Sequence, residues 1–376
     1  MDTLNRLYLT EIFRSISHSA IGIFLPIYLL KTGLNLSELS LFFIIMFAFN
    51  ILSAALSLLF LMNKGPILMA LSLLVRGFFY YSLFAYLDWH IIALVFGLAI
   101  GLYWSVMDLA IIYFPKSNRG FKIGMLYSLM NTASMLGPII GGFVITYIGY
   151  GGLFIVSILL VIPAILSALL IGDINWDFKK IDFSVLKNYL NNKKGLIILF
   201  FTLVYGMTSV PGWIYQPILL NQLAGTELNM GVIQTVVNIL VSLSYIIAGR
   251  FFDRNRARVL LILALIIEGT SMIIIGFSTS IELFTVGSWL SSLGIALLAA
   301  PFWGVLSKSV SKEKFNVLIF FTSIALGGVR MISIALLEPL LIIGNLMLIF
   351  NIIGVIIFLG LIAAYLLPKE LFNNKS

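Results

Sequence analysis

The 376-residue sequence predicts an all-α integral membrane fold of twelve transmembrane helices, built as two six-helix bundles in parallel repeat. Three observations carry this reading: an apolar excess, a regular alternation of long apolar runs with short polar turns, and a similarity between the two halves. Hydrophobic residues make up 61% of the chain and charged residues only 10%. The mean hydropathy is +1.11. A water-soluble domain of this length has too little polar surface to coat so much apolar surface, so the excess faces lipid.

A helix needs about 20 mostly apolar residues to cross the hydrocarbon. The runs that satisfy this are 7–30, 38–62, 67–87, 91–114, 123–147, 152–172, 196–219, 229–250, 258–278, 283–306, 316–337 and 345–367. The spacers are turn-like, as in NKGP (63–66), DWH (88–90) and GYGG (149–152). The longest, 173–195, is polar, lysine-rich and central. The expected organisation is an N-terminal bundle over 1–172, a central loop over 173–195 and a C-terminal bundle over 196–376.

Twelve spans place both termini on one side of the membrane. Of the 23 basic residues, all but Arg14, Lys31, Arg76 and Arg330 fall on that side. Such an asymmetry predicts cytoplasmic termini and a cytoplasmic central loop in a multi-pass protein of the cell membrane. It also accounts for the net charge of +8 without a nucleic-acid partner. The absence of cysteine excludes disulfides, thiol catalysis and thiolate metal sites. His18 and His90 lie far apart in sequence, so no metal site and no cofactor are expected. Glu11, Arg14 and His18 interrupt the first apolar run, which does not read as a cleavable signal.

The halves align segment by segment. FLPIYLLKTGLNLSE (24–38) matches YQPILLNQLAGTELN (215–229), pairing Pro26 with Pro217. AFNIL (48–52) matches VVNIL (236–240), pairing Asn50 with Asn238, and LLVRG (73–77) meets LIIEG (265–269). The loop after the second span of the first half is four residues shorter than its counterpart, which lies in GRFFDRNRAR (249–258). Six spans per half mean that both halves enter from the same side, a repeat related by an axis along the membrane normal.

These residues resemble the major facilitator superfamily of secondary transporters over essentially the whole chain. The family's loop motif, roughly G-x-x-x-D-R-x-G-R-R, is matched by Gly249, Asp253, Arg254 and Arg258, with its internal glycine missing. Its fifth-helix motif G-P-x-x-G-G is intact as Gly137, Pro138, Gly141 and Gly142, and RGFKIG (119–124) looks like the family's entry into that helix. The resemblance implies two bundles that alternate around a central path, most often as a monomer. It further implies that the loop after the eighth span latches onto the start of the fifth, with Lys116, Arg119 and Lys122 as cationic partners; the alternative is that the arginines set topology and bind anionic lipid headgroups. The intact fifth-helix motif is associated in the family with exchangers and exporters. Glycines there permit close helix approach, and Pro138 frees a carbonyl and bends the helix.

Ionisable groups inside spans are costly and face a cavity or a partner. Glu11, Arg14 and His18 share one face of the first span. Arg14 and Asp108 lie at similar depth, each about 9–10 Å in, and are expected to pair, with His18 or Glu11 as a proton-linked site. Arg330, about 21 Å from the start of its span, has two readings: a site for an anionic substrate group, or a partner for Glu338 or Glu282. Arg76 and Glu268 are expected to be structural, each bonded to an adjacent helix. Tyr103, Trp104, Tyr205, Trp213, Gln216, Asn238, Trp289 and Trp303 outline a chamber for a hydrophobic or amphiphilic molecule. The expected function is transport, by alternating access, of a small-molecule substrate, coupled to protons and directed outward as an efflux antiporter. Import of a small organic anion or sugar is the alternative. A membrane enzyme on lipid-linked substrate is disfavoured, because Asp88 and His90 have no acidic or histidine companions nearby.

Overall fold

A computed structural model describes residues 3–61, 64–113, 119–171, 181, 183–253, 257–309 and 315–368. The first half contains α1 (Thr3–Gly22), α2 (Leu25–Lys31), α3 (Leu36–Leu56), α4 (Gly65–Phe84), α5 (Trp89–Tyr113), α6 (Arg119–Ser134), α7 (Leu136–Ile148) and α8 (Tyr150–Leu169). A short α9 (Phe183–Leu190) precedes α10 (Lys193–Thr208), α11 (Val210–Trp213), α12 (Tyr215–Ala224), α13 (Glu227–Asp253), α14 (Ala257–Gly276), α15 (Ile281–Ser309), α16 (Phe315–Ile342) and α17 (Leu346–Leu366). Among the described residues, eleven helical segments are long and apolar enough to cross a bilayer. The remaining expected span, 229–250, falls within α13, whose 27 residues extend about 40 Å.

Three expected spans are broken, each at a point with a proline four residues on; the seventh has a second break, after Thr208 and just before Pro211. A proline has no N–H to offer the carbonyl four residues before it, and its ring crowds that carbonyl. Accordingly α1 ends at Gly22 before Pro26, α6 at Ser134 before Pro138, and α11 at Trp213 before Pro217. In an apolar medium the freed carbonyls need new donors. Asn238 Nδ2 donates to Ser134 O at 3.5 Å, and Thr235 Oγ1 donates to Met135 O at 2.9 Å. Both donors come from α13, so the break between α6 and α7 is satisfied by the second half.

Within the first half α1 packs on α6, α7 and α8, α3 on α5, and α4 on α5 and α8. Within the second, α14 packs on α15 and α17, α13 on α15, and α10 on α16 and α17. Two seams join the halves: α13 runs along α6 and α7, and α16 runs along α3. Lipid tails are as apolar as leucine, so close packing rather than apolar burial holds such helices together. The outward residues are large and apolar, as with Leu159 and Leu336, which are 60% and 72% exposed.

The stretch read from sequence as a central loop contains α9, which packs on α10 and α16. Its Tyr189 ring lies edge-on to Phe321, 6.0 Å between centroids. The lysines of 173–195 hid this short amphipathic turn of helix. At the head of α3, Asn35 and Glu38 form a reciprocal cap, each side chain receiving the other's backbone N–H.

Candidate functional site

Apart from Glu268, the buried charges among the described residues lie on α1, α4, α5 and α16. Arg14 does not pair with Asp108. Its Nη2 lies 2.9 Å from Oε2 of Glu11, and its Nε is 3.2 Å from both carboxylate oxygens. The two residues are three apart on one helix, neighbours on the same face. Arg14 meets α5 at Tyr103 and Trp104, with its guanidinium 4.6 and 5.8 Å from the ring centroids. Asp108 lies five residues further along α5, about 7.5 Å away along the axis. Counting depth from span ends missed by that turn. Glu11, Arg14 and Tyr103 are all buried.

His18 and Arg76 form a second contact, between α1 and α4. Arg76 Nη1 is 3.0 Å from His18 Nδ1, and Arg76 is 1% exposed. Arg76 thus bonds an adjacent helix, and its partner is a predicted site residue. The His18 ring also lies 6.3 Å from Phe96 and 6.1 Å from Trp213 of the second half.

Arg330 lies on the seam between α3 and α16. Its Nε donates to Ser209 Oγ at 2.8 Å, and its guanidinium sits 5.5 Å from the Phe47 ring centroid. Neither expected carboxylate partner reaches it. Glu338 is eight residues along α16, about 12 Å away, and accepts a hydrogen bond from Ser37. Glu282 stands exposed in the first turn of α15. The carboxylate within electrostatic reach of Arg330 is Asp108, without a direct ion pair.

Aromatic pairs lie within the second half and across the α6–α13 seam. Tyr205 stacks on Phe302 at 3.9 Å between centroids, and Tyr127 stacks on Tyr245 at 5.4 Å. Trp303 Nε1 donates to the Tyr127 hydroxyl at 3.0 Å. Gln216 is half-buried, and Asn238 accepts from Gln234 at 3.0 Å besides capping Ser134. Sequence reasoning missed Tyr127, Tyr245 and Ser209, because isolated tyrosines and serines in spans carry no signal until their neighbours are known. In the second half Glu268 is fully buried, accepts from Ser291 at 3.1 Å, and rests against Gly294. That arrangement is a helix-to-helix bond between α14 and α15.

A model of the Major Facilitator Superfamily matches residues 7–181. The crystal structure of the human organic anion transporter MFSD10 (TETRAN) shares this fold, with a TM-score of 0.68 over 96% of this chain and 98% of that one. Residues 7–181 thus match the major facilitator superfamily, and the chain as a whole has the fold of its transporters. The two chains are 12% identical, so that likeness is one of architecture. No curated protein matches the sequence. The N-terminal match and the shared fold support a multi-pass membrane protein of the secondary transporter class.

The major facilitator motifs have definite places in this fold. Gly137 and Gly141 face α1, where an added Cβ would lie 2.6 Å from Ala20 N and 2.2 Å from Ala20 O respectively. Gly142 faces the other way, where a Cβ would be 2.6 Å from Glu227 O, and Gly231 answers it against Pro138 O at 2.3 Å. The motif therefore lets one broken helix touch a neighbour in its own half and one in the other. Of the loop motif, Gly249 and Asp253 lie in α13, but their side chains are outside the described residues, as is the whole of Arg254. Lys116 and the side chains of Arg119 and Lys122 are likewise outside them. Arg258 does not reach the fifth span. It donates to Tyr365 O and sits 5.6 Å from the Tyr365 ring, anchoring the end of α17.

Proposed function

We propose that this transporter works by alternating access, exporting small amphiphilic compounds in exchange for protons. The observation that carries the reading is Arg330: a cation on the seam between the halves, held by the neutral Ser209 and the Phe47 ring rather than by a carboxylate. A cation so placed is available to an arriving molecule, and the surrounding Trp213, Phe47, Tyr205 and Phe302 offer it an apolar body. Asp108, within the field of Arg330, and Glu11, paired to Arg14, are the buried carboxyls assigned to proton coupling. The outward direction is carried over from the family association of the intact Gly137–Gly142 motif.

A second reading, import of a small organic anion, is favoured by the same neutral partnership of Arg330. It draws further support from the likeness to MFSD10, whose description is an organic anion transporter. In both readings residues 1–172 and 196–376 are the moving bundles, 173–195 joins them, and the protein is a monomer in the cell membrane with cytoplasmic termini. Asp253, Arg254 and the first turn of α6 form the cytoplasmic latch.

The test is reconstitution into liposomes with carboxyfluorescein and ethidium as anionic and cationic probes. Under an imposed pH gradient, an exporter moves a probe against the proton flow and stops when the gradient is collapsed. An importer instead moves carboxyfluorescein with the proton flow. Arg330→Gln should reduce movement of the anionic probe by at least tenfold, the loss of one charge-assisted contact. Equal rates in the variant would refute the role of Arg330.

A further inference from the structure

We propose that Arg76 is a positioning residue that holds His18 as a neutral imidazole with its proton on Nε2. His18 then serves the central path as a hydrogen-bond donor and not as a proton carrier. The inference deepens the transport reading, because it assigns a role to one residue of the seam.

The argument rests on the donor inventory. A guanidinium carries five N–H donors and no acceptor, so the nitrogen facing it must present a lone pair. That nitrogen is Nδ1, 3.0 Å from Arg76 Nη1. A neutral imidazole with a free Nδ1 carries its hydrogen on Nε2. Protonating Nδ1 as well would set donor against donor. Arg76 is 1% exposed, makes no ion pair among the described residues, and leaves its own Nε without a partner. Tyr80 on the same helix also bonds to its guanidinium and Glu11 acts on it from a distance, and neither takes the Nη1 donor that faces His18.

The surroundings of His18 point the same way. Arg14 stands one turn away on α1, already neutralised by Glu11. Tyr80, beside Arg76 on α4, receives a hydrogen bond from Ser17 at 3.1 Å. The remaining neighbours are the apolar rings of Phe96 and Trp213. Trp213 also lies 5.8 Å from Phe47, the ring under Arg330. One row of side chains therefore runs from the Nε2–H donor of His18, across Trp213 and Phe47, to the Arg330 cation. The proposal assigns to this row a molecule that bears a hydrogen-bond-accepting group and a planar apolar body.

The chain has two histidines, which makes a direct reading feasible. His90 is exposed in the first turn of α5, bonded to Asp88, so His90→Gln leaves His18 as the one imidazole. In 15N-histidine NMR of that protein in nanodiscs at neutral pH, Nε2 should appear protonated and Nδ1 unprotonated. Arg76→Met should abolish this single-tautomer signature, and Arg76→Lys, which keeps a donor, should restore it. A protonated Nδ1, or a signature indifferent to Arg76→Met, would overturn the proposal. Should Arg76→Met fail to fold, the parent and Arg76→Lys spectra still decide.

A second arm concerns the donor role. His18→Gln keeps an N–H donor that cannot carry a proton, whereas His18→Leu keeps neither. With carboxyfluorescein as probe, Gln should retain transport within about threefold, and Leu should lose about tenfold in apparent affinity. Equal loss in both overturns the donor role. The tautomer is read without substrate, so a failure of the transport reading would leave that measurement intact.

Discussion

Lys31, the last residue of α2, and Glu227, the first residue of α13, form an ion pair that joins the two halves on the face opposite the chain termini. Tyr150 of α8 donates to the same Glu227 carboxylate at 3.2 Å, and its ring lies 5.7 Å from the Lys31 ammonium. Nearby on that face Ser37 of α3 donates to Glu338 of α16. Each seam between the halves thus ends in a polar clasp at the water interface, where breaking it exposes charges to solvent rather than to lipid.

The clasp should be weak enough to open. Lys31 is 54% exposed, and such pairs contribute about 0.2–1 kcal/mol. Glu227→Gln should therefore raise the labelling rate of a cysteine placed at Thr235 by about 1.4-fold to fivefold. The chain contains no native cysteine, so the introduced thiol is the one reporter. An unchanged rate would show that the pair does not hold this face.

The Glu11–Arg14 pair is fully buried and should behave oppositely. Removing one partner leaves an uncompensated charge, at a cost of about 3–5 kcal/mol. Glu11→Gln should lower the melting temperature in detergent sharply, and Glu11→Gln with Arg14→Met should recover much of the loss. Additive losses in the double variant would mean that the contact carries no coupling.

Gly142 should tolerate no side chain. A Cβ there would be 2.6 Å from the backbone oxygen of Glu227, whereas Gly328 has open space around it. Overpacking costs about 1–3 kcal/mol. Gly142→Ala should slow transport and lower stability, with Gly328→Ala as the neutral control. Equal behaviour of the two would remove the seam from the mechanism.

For the proposed latch, Asp253→Asn should increase accessibility from the face that bears the termini. Thiol labelling of a cysteine at Asn131 reads this. No increase would leave the arginines of that loop as topology determinants only.

Much of this architecture was legible in the sequence because the bilayer imposes coarse rules on length, polarity and charge. Pro26, Pro138 and Pro217 even mark where their helices break, since a missing N–H acts locally. Side-chain partners were not legible. Whether Arg14 chooses Glu11 or Asp108 turns on a single helical turn, and span ends read from hydropathy are no sharper than that. The His18–Arg76 and Tyr127–Trp303 contacts depend on which helices adjoin, information absent from any one segment. Arg330 was legible as a buried cation by depth alone, while its neutral partner Ser209 was not.

The central claim is that two bundles enclose one path open to either face in turn. Ser209 touches Arg330 on that path, so a cysteine at Ser209 tests the claim most directly. In liposomes, a membrane-impermeant thiol reagent applied from either side should label it, with probe substrate slowing both rates. Labelling from neither side, or only by a lipid-soluble reagent, would contradict the account.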